Sequence, residues 1–145
     1  MSIVYFAEDV TFPKLKRRLT SGWIKSVIVN EGKSLGDISF IFCSDSYLLK
    51  VNQKYLEHDY YTDIITFDYV EGKTISGDIF ISVDRVGENS IQFSKSFENE
   101  LNRILVHGVL HLIGYKDKSK KDKKLMTQKE NIYLNLLENS LLGGK

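Results

Sequence analysis

The sequence predicts an α+β domain built on a four-stranded mixed sheet flanked by about five helices. Three observations carry that expectation. Short segments rich in β-branched and aromatic residues alternate with longer ones whose apolar residues recur at helical spacing. The 145 residues are one domain's worth, 1–145, enough to bury about two thirds of the unfolded surface without disulfides or metals as staples. No repeat, low-complexity stretch or linker divides them.

Ser2 to Ala7 (Ser-Ile-Val-Tyr-Phe-Ala) reads as a first strand. From Pro13 to about Val29, Leu15, Leu19, Trp23 and Val27 fall four residues apart, which lines one face of a helix, and Pro13 suits its first turn. Glu31-Gly32-Lys33 ends that helix. Asp37 to Cys43 is a second strand, Asp45 to about Tyr55 a helix, and Asp63 to Tyr69 a third strand. Val70-Glu71-Gly72-Lys73 makes a turn into a fourth strand near Thr74–Ser82. Three helices complete the chain, near Val83–Phe93, Phe97–Ile113 and Ser119–Leu137, the last with Ser119 as its cap.

Composition excludes several classes. There is no charged-then-apolar leader and no apolar run of membrane-spanning length, so the chain reads as cytoplasmic with no membrane partner. The single Cys43 has no internal partner; in the apolar stretch Ile38–Cys43 it reads as a small core residue, with a reactive thiol as the alternative. A net charge of +1 is uninformative when averaged, but its distribution is uneven. Lys116, Lys118, Lys120, Lys121, Lys123 and Lys124 crowd one stretch against only Asp117 and Asp122. They form either a positive lip for phosphodiesters or a solvated helix start.

Residues 107–117, His-Gly-Val-Leu-His-Leu-Ile-Gly-Tyr-Lys-Asp, hold two of the three histidines. Positions i and i+4 stack on one helix face, so His107 and His111 present their imidazoles to one divalent ion. Gly114 lets the chain leave the helix, and the turn brings Asp117 back as a third ligand. The spacing is also that of metzincin peptidases, but position 108 is Gly, so the glutamate that activates water for peptide cleavage is missing. The pattern thus predicts one metal in an open cleft, with zinc suited to three mixed ligands plus water. The Asp117 oxygen lowers the margin of zinc over another divalent metal such as manganese or magnesium.

On the same helix Leu101, Ile104, Leu105, Val109 and Leu112 supply an apolar side, while Arg103 shares the histidine side. An arginine one turn from a metal can hold a phosphate or stabilise charge in a phosphoryl transition state, which makes Arg103 the candidate catalytic residue. The competing reading is an exposed surface arginine or an ion pair with Glu100. Glu100 itself, two turns before His107, can orient a ligand from behind. His58, the third histidine, reads as an exposed loop residue, with substrate contact as the alternative.

His-Gly-x-Leu-His-Leu-x-Gly-Tyr resembles the signature of the YbeY family of bacterial endoribonucleases. Two further blocks are similar to the family's strands: Asp59-Tyr60-Tyr61-Thr62-Asp63-Ile64-Ile65-Thr66-Phe67 and Ser76-Gly77-Asp78-Ile79-Phe80-Ile81-Ser82. The resemblance implies zinc and a single-strand endoribonuclease acting on ribosomal RNA or its precursor, with the ribosome as a further partner. Two positions depart from the family pattern: Asp117 stands where the family carries its third zinc-binding histidine, and Leu56 where it carries an arginine implicated in activity. These departures keep open a non-catalytic, metal-stabilised ribosome assembly factor as the alternative.

Overall fold

The computed structural model describes residues 1–58 and 61–143, with side chains through residue 140. Asp59 and Tyr60, the first two residues of the strand block noted above, lie outside the described residues. The elements run β1 (Ser2–Ala7), α1 (Arg17–Asn30), β2 (Ser34–Cys43), α2 (Asp45–Leu56), β3 (Ile64–Asp68), β4 (Thr74–Ser82), α3 (Val83–Gln92), α4 (Phe97–Ile113) and α5 (Lys120–Gly143). The sheet order is β1-β2-β4-β3. β1 and β4 pair with β2 in parallel, and β3 returns antiparallel to β4, so the sheet is mixed as expected.

Strand alternation sorts the side chains into two clusters of unequal size. Ile38, Phe40 and Phe42 of β2 and Ile75, Ile79 and Ile81 of β4 face the larger core, against Trp23, Ile24 and Val27 of α1, Leu101, Leu105 and Val109 of α4, and Tyr133 of α5. Cys43 and Ile65 face the other side, where Leu48 and Val51 of α2 cover them. Cys43 is fully buried and its thiol is pushed up to about 12, by burial first and nearby carboxylates second, so it is a core residue and no thiolate nucleophile.

The first helix is shorter than its periodicity predicts, starting at Arg17 and not at Pro13. The cause is aromatic packing. Phe12 lies edge-on to Phe42 at 5.5 Å and carries Arg17 over its ring at 4.1 Å, which ties the preceding segment, without regular secondary structure, to the core. Pro13 fits such an irregular approach as readily as a helical turn.

Two glycines set how closely α4 lies on the sheet. A Cβ on Gly77 would meet the Phe67 carbonyl oxygen at 2.6 Å and Leu112 of α4 at 2.9 Å. One on Gly108 would meet Ile64 and Ile79 at 2.9 Å. The helix that carries both histidines is therefore pressed closely against β3 and β4, at Gly77 against a backbone oxygen and at Gly108 against isoleucine side chains.

Candidate metal centre

Helix α4 is built to present residues at its C-terminal end. Ser96 caps its start by accepting from the Asn99 N–H at 3.0 Å, and Glu98 and Glu100 sit in the positive first turn. Its five expected apolar residues are all buried. Gly114 ends it at φ 125°, with the Gly114 and Tyr115 N–H groups returning to the Leu110 carbonyl at 3.1 and 3.0 Å. The turn then throws Asp117 back across the last helical turn.

This brings together His107, His111 and Asp117. The two Nε2 atoms are 3.1 Å apart, and the Asp117 Oδ2 lies 3.2 Å from His111 and 3.4 Å from His107. Donors bound tetrahedrally at about 2.0–2.1 Å stand about 3.3–3.4 Å apart, so two imidazole nitrogens and a carboxylate oxygen at these separations can hold a metal ion. The side chains are 20, 25 and 39 % exposed, which leaves the cluster open to solvent on one side.

A residue not singled out in the sequence completes the arrangement. Glu130 of α5 is buried and places Oε2 2.6 Å from the His107 Nδ1. A carboxylate only accepts, so Nδ1 carries the proton and, in the neutral ring, Nε2 keeps its lone pair toward the cluster. Burial works against charge on His107, but the hydrogen bond and charge of Glu130, with Asp117 and Asp63 adding, outweigh it and raise the imidazole pKa. His111 is lowered, by burial and by the neighbouring His107, against the pull of Asp117.

Glu130 also corrects two expectations. Arg103 donates to Glu130 Oε1 at 2.8 Å and to Asn131 Oδ1 at 2.8 Å, and so does not pair with Glu100. Its guanidinium is engaged in holding the carboxylate behind His107. Glu100 makes no bond to either histidine; it is buried, and burial raises its pKa. The supporting carboxylate comes from α5 because α5 folds back along α4, a contact that no spacing within α4 encodes.

Tyr115, the last residue of the signature block, anchors the turn. Its hydroxyl donates to Glu31 Oε1 at 2.6 Å, at the end of α1, where the Tyr133 hydroxyl and Lys129 Nζ also meet the same carboxylate. Burial alone would raise the Glu31 pKa, but these three donors overcome it and hold the carboxyl below its usual range. Ser119 caps α5 as predicted, accepting from the Asp122 N–H at 3.0 Å. Lys116, Lys118, Lys120, Lys121 and Lys123 are all exposed around that cap, immediately after and before the two ends of the Asp117 turn. His58 is exposed, and Leu56 closes α2 as a partly exposed apolar residue.

Gly108 explains why the peptidase resemblance stops at spacing. The position that carries the water-activating glutamate in those enzymes points here into the sheet, between Ile64 and Ile79, where a carboxylate has neither room nor access to the cluster.

Fold and site together define an α+β protein with a surface centre of two histidines and one aspartate on a helix–turn. A family model described as Endoribonuclease YbeY matches residues 7–138. The chain is 52 % identical over 137 residues to an Endoribonuclease YbeY of Parabacteroides distasonis, covering 94 % of this chain and 96 % of that one. It is 47 % identical over 139 residues to one from Porphyromonas gingivalis, covering 96 and 92 %. A solution structure of a Thermotoga maritima protein shares the fold, with a TM-score of 0.67 at 24 % identity over 99 % of this chain and 93 % of the other. The chain belongs to the YbeY family.

Proposed function

We propose that this protein is a metal-dependent endoribonuclease that cuts single-stranded RNA, with ribosomal RNA or its precursor as substrate, in the cytoplasm. The observation that carries the reading is the convergence of His107, His111 and Asp117 at coordination spacing, in a chain about half identical to relatives named as endoribonucleases. Those three residues would hold zinc, the Asp117 oxygen leaving room for a harder divalent ion. When bound, such an ion supplies Lewis-acid polarisation of a phosphoryl oxygen and a nucleophile at neutral pH without a strong side-chain base.

The protein's own residues do the rest. To bind the ion, His107 and His111 would each offer an Nε2 lone pair, and Glu130, 2.6 Å from the His107 Nδ1, favours the proton on that far nitrogen. Arg103 holds Glu130 in place through its ion pair, and its partly exposed guanidinium stays one turn from His107 as the candidate for phosphate contact. The exposed lysines from Lys116 to Lys123 offer counter-charge to an RNA backbone beside the centre. Among the described residues no helix is long and apolar enough to cross a membrane.

The test is cleavage of a single-stranded RNA by purified protein before and after metal removal, with His107→Ala prepared identically to exclude contaminating nuclease. Loss of cleavage on chelation and in the variant, with RNA binding largely kept, supports the reading. Equal cleavage by His107→Ala would make the metal structural and move the assembly-factor alternative ahead.

A further inference from the structure

Every strand in the sheet but one is shielded along its length or broken by charge. β3, one edge, has only five residues, ends on Asp68 and follows Asp63. β1, the other edge, is different. Its six residues, Ser-Ile-Val-Tyr-Phe-Ala, contain no charge and no proline, and its register with β2 runs unbroken from Ser2–Asp37 to Ala7–Phe42. Edges are ordinarily blunted by lysine, proline or a bulge, because an open ladder of peptide groups accepts another strand.

The direction of the open groups follows from one bond. The Glu8 N–H donates to the Phe42 carbonyl at 2.9 Å, and peptide groups alternate sides along a strand, so Val4 and Phe6 also turn theirs toward β2. Ile3, Tyr5 and Ala7 therefore present N–H and C=O outward, in the repeat that another extended chain matches. A groove of about 570 Å³ runs along this edge, walled by the central β1 residues on one side and by Arg17, Arg18 and Ser21 of α1 on the other. The Tyr5–Ser21 hydroxyl contact at 2.8 Å ties the two walls together. Val4 and Phe6 are 39 and 50 % exposed beside it.

Charge selects the occupant. Arg17 and Arg18 line the groove's α1 wall, and Lys14 and Lys16 lie exposed in the segment just before that helix. We propose that the free edge of β1 binds an extended acidic segment of another protein by strand addition, its backbone pairing with Ile3, Tyr5 and Ala7 and its carboxylates facing Arg17 and Arg18. A nucleic acid offers no peptide ladder to match these groups. A second copy paired β1 to β1 would bring two basic runs to the same junction, where like charges oppose each other.

The test uses the full chain labelled with ¹⁵N and a blocked eight-residue peptide alternating glutamate with valine and threonine. With this peptide, amide exchange at Ile3, Tyr5 and Ala7 should slow by about tenfold or more, while Val4 and Phe6, already bonded to β2, stay unchanged. The lysine-for-glutamate counterpart should have no effect, and Arg17→Glu with Arg18→Glu should invert that preference. Because Arg17 also stacks on Phe12, Arg18→Glu alone provides the same comparison if the double variant loosens the fold. No slowing at millimolar acidic peptide overturns the proposal, as does equal slowing by both peptides. Slowing that grows with protein concentration alone would assign the edge to a second copy, and displacement of the peptide by a single-stranded RNA would assign it to nucleic acid; either result also overturns it.

Discussion

Replacing Glu130 by Gln probes the centre from behind without touching the three donors. The carboxylate accepts from two directions at once, from the His107 Nδ1 at 2.6 Å and from the Arg103 guanidinium at 2.8 Å. A glutamine has the same shape but only one accepting oxygen, and its amide nitrogen must face one of these two donors. Turned toward Arg103, it opposes a half-buried cation; turned toward His107, it forces the proton to Nε2 and removes the lone pair from the cluster. Losing an outer contact of this kind typically lowers metal affinity about 10–100-fold, or about 1.4–2.7 kcal/mol. Folding stability should fall by about 1–3 kcal/mol, the range for leaving a buried hydrogen-bonding group unmatched. Zinc affinity is measured by chelator competition, and the His107 tautomer by ring ¹⁵N shifts. Zinc affinity in a folded Glu130→Gln protein within about twofold of wild type would refute the positioning argument.

Other perturbations separate the remaining roles. Asp117→Ala should weaken metal binding more than the about 10–100-fold of a lost supporting contact, whereas Asp117→His should retain or tighten zinc; equal chelator competition for wild type and alanine would show that the acid is no ligand. Gly77→Ala should destabilise by about 1–3 kcal/mol because its Cβ meets a backbone oxygen, and Gly108→Ala by less, since the isoleucine tips can yield and alanine gains about 1 kcal/mol of helix propensity; thermal unfolding ranks them. Neutralising Lys118, Lys120, Lys121 and Lys123 should weaken RNA binding and lower its salt slope by about 0.7 per lost phosphate contact, with an unchanged slope placing the RNA elsewhere. The depressed Glu31 pKa means its contribution to stability is complete above the ordinary carboxyl value of 4.5 and is lost as pH falls through the folded value; Glu31→Gln should remove that part of the acid unfolding profile.

Local pattern made most elements legible. The bounds of α4, Phe97–Ile113, agree with expectation because Ser96 and Gly114 are strong stop signals flanking a dense apolar stripe. β4 and β1 agree for the same reason, each being β-branched and bounded by turns. α1 does not, because Leu15 keeps helical phase with Leu19 and Trp23 while the chain around it has no regular secondary structure. Periodicity reports which residues face the core and is blind to whether the backbone joining them is helical. The packing of Phe12 on Phe42 decides that, across thirty residues of sequence.

The centre divides along the same line. His107, His111 and Asp117 were legible because a helix and one glycine turn fix their relation within eleven residues. Glu130 was not, because thirteen residues and a change of helix separate it from Asp117, and its meaning comes from α5 lying along α4. One signal was present: glutamate at 130 stands among Met126, Tyr133, Leu134 and Leu137, all buried. A carboxylate on the apolar face of a helix needs a cationic or donating partner, since burying it alone costs several kcal/mol, about what one such group can undo in a small domain. That face meets α4 where Arg103 and His107 sit one turn apart. The arginine beside the histidines and the acid on the apolar stripe are thus halves of one feature, which neither helix reveals when considered without the other.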